Sequence, residues 1–258
     1  MRLALLDPLW CPGQAVPLFP DQVRTTPWSA YEALELKPGQ EYRGPSGQAV
    51  EVGLVLLTGA LTATDLPEPI ALLAPAVALC PAVDRPLLLA NPGTEPTRLL
   101  LACVAGATEP GPAPGLIRTQ PLDRGALPWR PAIHGGIGRI ASRHLWGPAD
   151  CRGAWTFIDH AVLAPGSSLG YHYHDGLEES FVVLAGRGTL VGAGRTLAVG
   201  PGTVTWQAIR EPHGLFGSGP EELEFLRLAV RRPGEEFTTV DLHDDLAGGL
   251  GKPEGTAR

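Results

Sequence analysis

His172-Tyr173-His174 is followed, after four intervening residues, by Glu179, and a further histidine, His213, lies beyond a Pro201-Gly202 turn. Side chains two apart on a strand point the same way, so a strand through 172–174 aims two imidazoles from one face. Asp175-Gly176-Leu177 supplies a turn, and Glu179 on the returning strand brings a carboxylate to the same place. His213, from a distant hairpin, adds a third nitrogen. Three imidazoles and one carboxylate around a divalent ion leave coordination positions free for chemistry. Iron(II), manganese(II) and nickel(II) suit these donors, zinc(II) fits at a lower coordination number, and the ligand set alone does not choose among them. With iron, substrate and oxygen could bind side by side, giving an oxygen-dependent, dioxygenase-type oxidoreductase. The other metals would act as Lewis acids that polarise a carbonyl, supporting isomerisation, cyclisation or elimination. A third possibility is a non-catalytic ligand-binding protein.

The surroundings of these four residues are read from strand phase. Phe157, Phe181, Val183 and Phe216 are expected as apolar walls of a small-molecule site, and Gln207 as a hydrogen-bonding group facing the substrate with Trp206 on the opposite face. Tyr171 and Tyr173 alternate with the histidines and should pack on the other side of the sheet. Either Asp159 or His160 turns inward from its strand. His134 and His144 read as loop or packing residues and His243 as solvated. Arg139, Arg143 and His144 form a basic cluster read chiefly as surface ion-pair residues, with recognition of a carboxylate substrate as the alternative. No catalytic residue is assigned beyond the ligands. The sequence lacks a Gly-x-Ser-x-Gly elbow, a phosphate-binding loop and a dinucleotide fingerprint.

The elements that must hold this set are strands. Among 258 residues, 33 are glycine and 27 proline, a balance that suits short strands and tight turns. That length fits two domains. The formal charge of −7, from 20 basic and 27 acidic side chains, includes no long block of one sign, so neither nucleic acid nor membrane is expected as a partner. Pro67, Pro69, Pro75, Pro81, Asp65 and Asp84 interrupt the apolar region 54–90 before a spanning length accumulates. Asp7-Pro8 likewise stops a secretory segment. Cys11, Cys80, Cys103 and Cys151 form no CxxC pair and are expected to be reduced. A cytoplasmic location and a monomer or homodimer follow as expectations.

The chain also repeats itself. A shift of 127 residues lays Trp28 on Trp155, Leu36 on Leu163, Pro38-Gly39 on Pro165-Gly166, Val55 on Val182 and Gly59 on Gly186; a shift of 126 lays Pro75 on Pro201, Leu100 on Leu226 and Val104 on Val230. Units of this length are duplicated domains. In this register the four ligand positions fall on Pro45, Gly47, Val52 and Leu87, none of which binds a metal, so the first half is expected to serve packing. The expected division is a ligand-free barrel over residues 1–105, a proline-rich linker without regular structure over 106–133, a metal-binding barrel over 134–232 and a polar tail over 233–258, its last ten or so residues disordered.

Gly166, His172, His174, Glu179 and Gly186, with Gly194, Pro201-Gly202 and His213, carry a resemblance to the cupins. The first cupin motif is present in every element. The second departs from the pattern around Trp206-Gln207 and at Gly217. The resemblance covers residues 135–231 directly and 15–105 through the internal repeat. It implies an all-β chain of two tandem cupin-type double-sheet jelly-roll barrels, a bicupin with one metal-binding domain. The family spans dioxygenases, decarboxylases, isomerases, cyclases and storage proteins, so it implies a site and leaves the substrate open; because its enzymes often hold iron in such a site, the resemblance favours iron(II) and the dioxygenase-type reading.

Overall fold

The computed structural model describes residues 1–44, 50–65, 69–83, 86–106, 117–151 and 153–248. The first half carries β1 (Arg2–Leu5), β2 (Val16–Pro17), β3 (Trp28–Leu36), β4 (Glu41–Arg43), β5 (Val50–Thr58) and β6 (Ala60–Thr64). There follow β7 (Ile70–Leu73), β8 (Ala76–Val83), β9 (Leu88–Ala90), β10 (Thr97–Val104) and β11 (Arg118–Pro121). The second half carries β12 (Trp129–Pro131), β13 (Arg139–Trp146), β14 (Trp155–Leu163), β15 (Ser168–His174), β16 (Leu177–Ala185) and β17 (Gly188–Gly192). It ends with β18 (Arg195–Val199), β19 (Thr203–Trp206), β20 (His213–Phe216), β21 (Leu223–Arg231) and β22 (Thr239–Asp244). Helix among the described residues is confined to three single 3-10 turns.

The repeat reappears as strand boundaries. Shifting β3 and β5 by 127 residues reproduces the limits of β14 and β16. Each half pairs a larger sheet with a smaller one: β11-β8-β5-β10-β3-β2 with β4-β9-β6-β7, then β1-β19-β16-β21-β14-β13-β12 with β18-β17-β20-β15-β22. Both are two-sheet jelly-roll barrels with antiparallel ladders. One strand crosses between the halves: β1 pairs with β19 of the second, whereas β11 stays with β8 of the first. Of the segment 106–133, expected to lack regular structure, residues 107–116 lie outside the described residues and the remainder holds β11, β12 and a 3-10 turn; Pro121 and Pro131 sit at strand ends, where proline is tolerated. The expected polar tail contains β22, paired with β15. Pro45, Gly47 and the final ten residues lie outside the described residues.

The apolar run in β5 has a two-sided cause. Val52, Leu54 and Leu56 enter the core of the first barrel, while Val55 joins a second core that also contains Trp28, Tyr31, Trp155, Val182 and Trp206. A strand buried on both faces loses the polar half of its alternation. The second core lies between the two larger sheets. Trp28 meets Trp155 and Trp206 at ring-centroid distances of 5.8 and 4.5 Å. Gly53 permits this approach, because a Cβ there would lie 3.3 Å from the Trp155 ring. Polar pins cross the same interface: buried Glu178 accepts from Thr25 N at 2.9 Å and Thr26 Oγ1 at 2.6 Å, and Ser180 Oγ donates to Tyr31 Oη at 3.1 Å. All four cysteines are free. Burial pushes the Cys103 thiol up to about 12. No helix among the described residues is long and apolar enough to cross a membrane.

Candidate metal centre

Sheet geometry brings the four sequence-predicted ligands together. His172 and His174 share one face of β15, and the ladder places His213 of β20 opposite His172. Glu179 enters from β16 in the facing sheet. Their relative exposures are 0, 3, 1 and 1% for His172, His174, Glu179 and His213, and one potential ligand atom from each lies within 4.8 Å of the others. A buried set of three imidazoles and a carboxylate at this separation can hold a metal ion.

The far side of each ring is already committed. His172 Nδ1 donates to the Gly170 carbonyl and His213 Nδ1 to the Glu211 carbonyl, both at 2.8 Å, and His174 Nδ1 meets Thr239 Oγ1 at 2.9 Å. Such bonds fix ring orientation and tautomer, leaving Nε2 for a ligand. Burial, chiefly, pushes the His172 pKa down, so that ring is neutral, and its Nε2 is buried without a hydrogen-bond partner. His213, donating from Nδ1, turns its Nε2 toward Glu179 Oε2 at 2.9 Å. Two lone pairs at that distance repel unless a cation or proton lies between them. An orphaned nitrogen and a nitrogen–carboxylate contact are both resolved by one divalent ion, so the residues fit the group their spacing implies.

Glu179 is oriented from behind. Arg227 on β21 donates from Nε to Glu179 Oε1 at 2.9 Å, leaving Oε2 for the centre. Burial works to raise the Glu179 pKa, but the Arg227 charge and then the contacts with His174 and His213 hold it well below the usual carboxylate range. Arg227 also faces Asp159 Oδ2 at 3.6 Å and lies 4.8 Å above the Phe157 ring centre. Asp159 Oδ1 reaches His144 Nδ1 at 2.5 Å, and that hydrogen bond is the main cause of the raised His144 pKa. Two buried carboxylates and one buried guanidinium leave a net charge of −1 inside the barrel. A divalent ion changes it to +1, a surplus suited to an anionic ligand.

The remaining predicted residues divide. Phe181 packs edge-on to His213 at 5.8 Å, and Val183 lies in the same core. Phe157 packs with Leu177, Ala229 and Phe237 beside Arg227. Gln207 is bridged to Glu179 through reciprocal backbone bonds of 3.1 and 2.8 Å and therefore shares its face. Its Nε2 donates to Thr205 Oγ1, and its Oε1 is buried without a partner. Phe216 does not join them. The unbroken β17–β20 register puts His213 and core residue Leu215 on one face and Phe216 on the other, because alternation over three residues reverses the side. Asp159 turns inward, whereas His160 bonds Glu224 at 2.8 Å on the opposite face. Arg139 stacks over Trp129 and Arg143 reaches the Pro121 carbonyl.

Several partners of the centre were not expected. His134, read as a loop or packing residue, does pack, but on a residue of the centre: it stacks on His172 with centroids 4.0 Å apart and planes inclined by 19°. Thr239 and Phe237 come from the segment expected as a tail, because β22 covers the edge of β15 and sets Thr239 opposite His174. Arg227 had a readable signal. It is the one cation in the middle of the apolar run Leu223–Arg231, in phase with Phe225 and Ala229.

Residues 159–230 match the model of the cupin domain. The oxalate-binding protein of Thermotoga maritima is 29% identical over 98 residues, covering 38% of this chain and 81% of that protein. A solved Pseudomonas aeruginosa structure is similar with a TM-score of 0.66 at 15% identity, covering 89% of this chain and 80% of its own. Salicylate 1,2-dioxygenase from Pseudaminobacter salicylatoxidans gives a TM-score of 0.63 at 12% identity, with 84% and 76% covered. At such identities the two structures speak for the fold alone, and they do so across both barrels. The cupin-domain match falls around His172, His174, Glu179 and His213, so residues 159–230 are similar to a cupin domain, and the chain as a whole shares its two-barrel fold with these structures.

Proposed function

We propose that this chain is a metal-dependent cupin enzyme of the dioxygenase type, with His172, His174, Glu179 and His213 as ligands and a small carboxylic or enolic acid as substrate. The observation that carries this reading is the convergence of three Nδ1-anchored imidazoles with the free oxygen of Glu179 in a buried space. Iron(II) held there would supply Lewis acidity and the means to activate molecular oxygen. The residues themselves do the positioning. Arg227 keeps Glu179 ionised and turned toward the centre, Phe181 and Phe157 exclude water, and Gln207 offers its unpartnered Oε1 to a substrate hydroxyl. An anionic substrate is supported by the charge left inside the barrel and by the name of the Thermotoga relative, which binds oxalate.

The test is metal analysis of untagged protein beside a His172→Ala/His174→Ala variant, followed by oxygen-electrode assays with salicylate and related hydroxy acids. Near-stoichiometric iron, lost in the variant, and iron-dependent oxygen uptake are expected. Turnover that continues unchanged without oxygen would overturn the dioxygenase assignment. Failure to take up any metal after anaerobic reconstitution would overturn the centre.

A further inference from the structure

We infer that His134 contacts the substrate, donating its ring N–H to a carboxylate oxygen of an acid held at the centre. This rests on the metal centre proposed above and narrows its ligand to a small carboxylate within one hydrogen bond of that ring. His134 lies on the loop between β12 and β13, which is pressed onto β15: Gly170 N donates to the Ile133 carbonyl at 3.2 Å, Ser168 N to the Ile137 carbonyl at 2.9 Å, and Ile137 N to Ser168 Oγ at 3.0 Å. Glycines allow the approach, since a Cβ on Gly136 would collide with the Ser168 carbonyl and one on Gly170 with the His134 carbonyl. His134 itself has a φ of +55°, a conformation uncommon for a residue with a side chain. The backbone is thus shaped to lay this ring on His172, with its neighbour His174 edge-on at 6.3 Å.

What sets His134 apart from a packing ring is its free polarity. Its side chain is 19% exposed, where each of the four ligand residues is 3% or less, so it stands between the centre and solvent. Its ring nitrogens make no hydrogen bond to the described residues; the closest carboxylate oxygen, Asp241 Oδ1, is 3.8 Å from Nδ1, beyond hydrogen-bond reach. A rigidly placed, uncommitted N–H beside a centre that favours an anion is the arrangement that orients a carboxylate.

The experiment uses the full chain loaded with manganese(II), an air-stable probe of the centre, and oxalate as the test acid. Metal uptake is measured first for the wild type, His134→Phe and His134→Asn; Phe keeps a flat ring without the N–H, and Asn keeps an N–H donor and tolerates the left-handed backbone. Oxalate affinity is then measured by calorimetry and by the change in the manganese EPR signal. One manganese per chain in all three proteins is expected, with oxalate bound about tenfold more weakly by His134→Phe, the loss of one hydrogen bond to a charged group, and with His134→Asn between the two. Equal oxalate affinity in the wild type and His134→Phe, or no oxalate binding by the manganese-loaded wild type, would overturn the assignment of His134. No manganese uptake by the wild type would instead overturn the proposed centre, and that outcome is read before oxalate is added.

Discussion

Acidifying the metal-free protein from pH 7 to pH 5 should remove about 4 kcal/mol of folding stability. Burial is the leading cause that lowers the pKa of both His134, to about 4, and His172. In the unfolded chain both titrate near about 6.5. Below that pH the unfolded state binds two protons that the folded state does not, so stability falls as pH falls. Each depressed histidine contributes about 1.4 kcal/mol per pH unit below 6.5, or about 2 kcal/mol at pH 5. Glu179, held below its ordinary range, adds a loss of the same sign only at pH values below about 4.5. His144 acts in the opposite sense: its raised pKa contributes stability at low pH that is lost as pH rises through the folded value. Its side chain is 71% exposed, so solvent keeps that contribution small. Urea denaturation of chelator-treated protein at pH 7, 6 and 5 measures the slope, and His134→Phe should halve it. Stability that stays flat over this range, or a slope indifferent to His134→Phe, would refute the burial of two neutral imidazoles.

Three further perturbations test the supports of the centre. Arg227→Met leaves Glu179 and Asp159 without their buried cation and should cost about 3–5 kcal/mol in the metal-free chain; a loss below about 1 kcal/mol in chemical denaturation would mean that neither pair is formed. Thr239→Val removes the Nδ1 partner of His174 and should weaken metal binding about 10–100-fold in chelator competition, while an unchanged affinity would detach β22 from the centre. Trp28→Ala opens the core between the two larger sheets and should cost about 3–5 kcal/mol; a near-neutral result would contradict the packed interface.

Much of this was legible because strands write their geometry into sequence with period two. The repeat register located β3, β5, β14 and β16, since both barrels keep the same Pro-Gly turns and the same apolar faces. The clustering of the four residues was legible because His172 and His174 share a strand and Glu179 follows one turn later. Phe216 misled because its three-residue distance from His213 reverses the face. The described part of the expected linker, residues 117–133, misled because Pro121, Pro128 and Pro131 indicate broken ladders without showing that short strands can form at a sheet edge. Thr239 could not be found from pattern: its role depends on β22 crossing to the edge of β15, a contact between distant parts of the chain. His134 was hidden for a similar reason, since its place over His172 is set by backbone approach at Gly136 and Gly170.

The duplicated barrels provide an internal control for the polar interior. Where the second barrel places Glu179 and His213, the first has Val52 and Leu87, both buried within an apolar core; each such side chain contributes about 1.5–3 kcal/mol by leaving water. At these two described positions the same architecture closes with apolar side chains. In the second barrel the corresponding volume holds three imidazoles, two carboxylates and a guanidinium, with a net negative charge and an unpartnered His172 Nε2. Each uncompensated group is a cost that apolar packing avoids. A metal needed only to close a barrel would be superfluous beside a neighbour that closes without one. The polar set makes physical sense when ion and anionic ligand occupy it together, and that joint occupancy is what the proposed function requires of the second barrel alone.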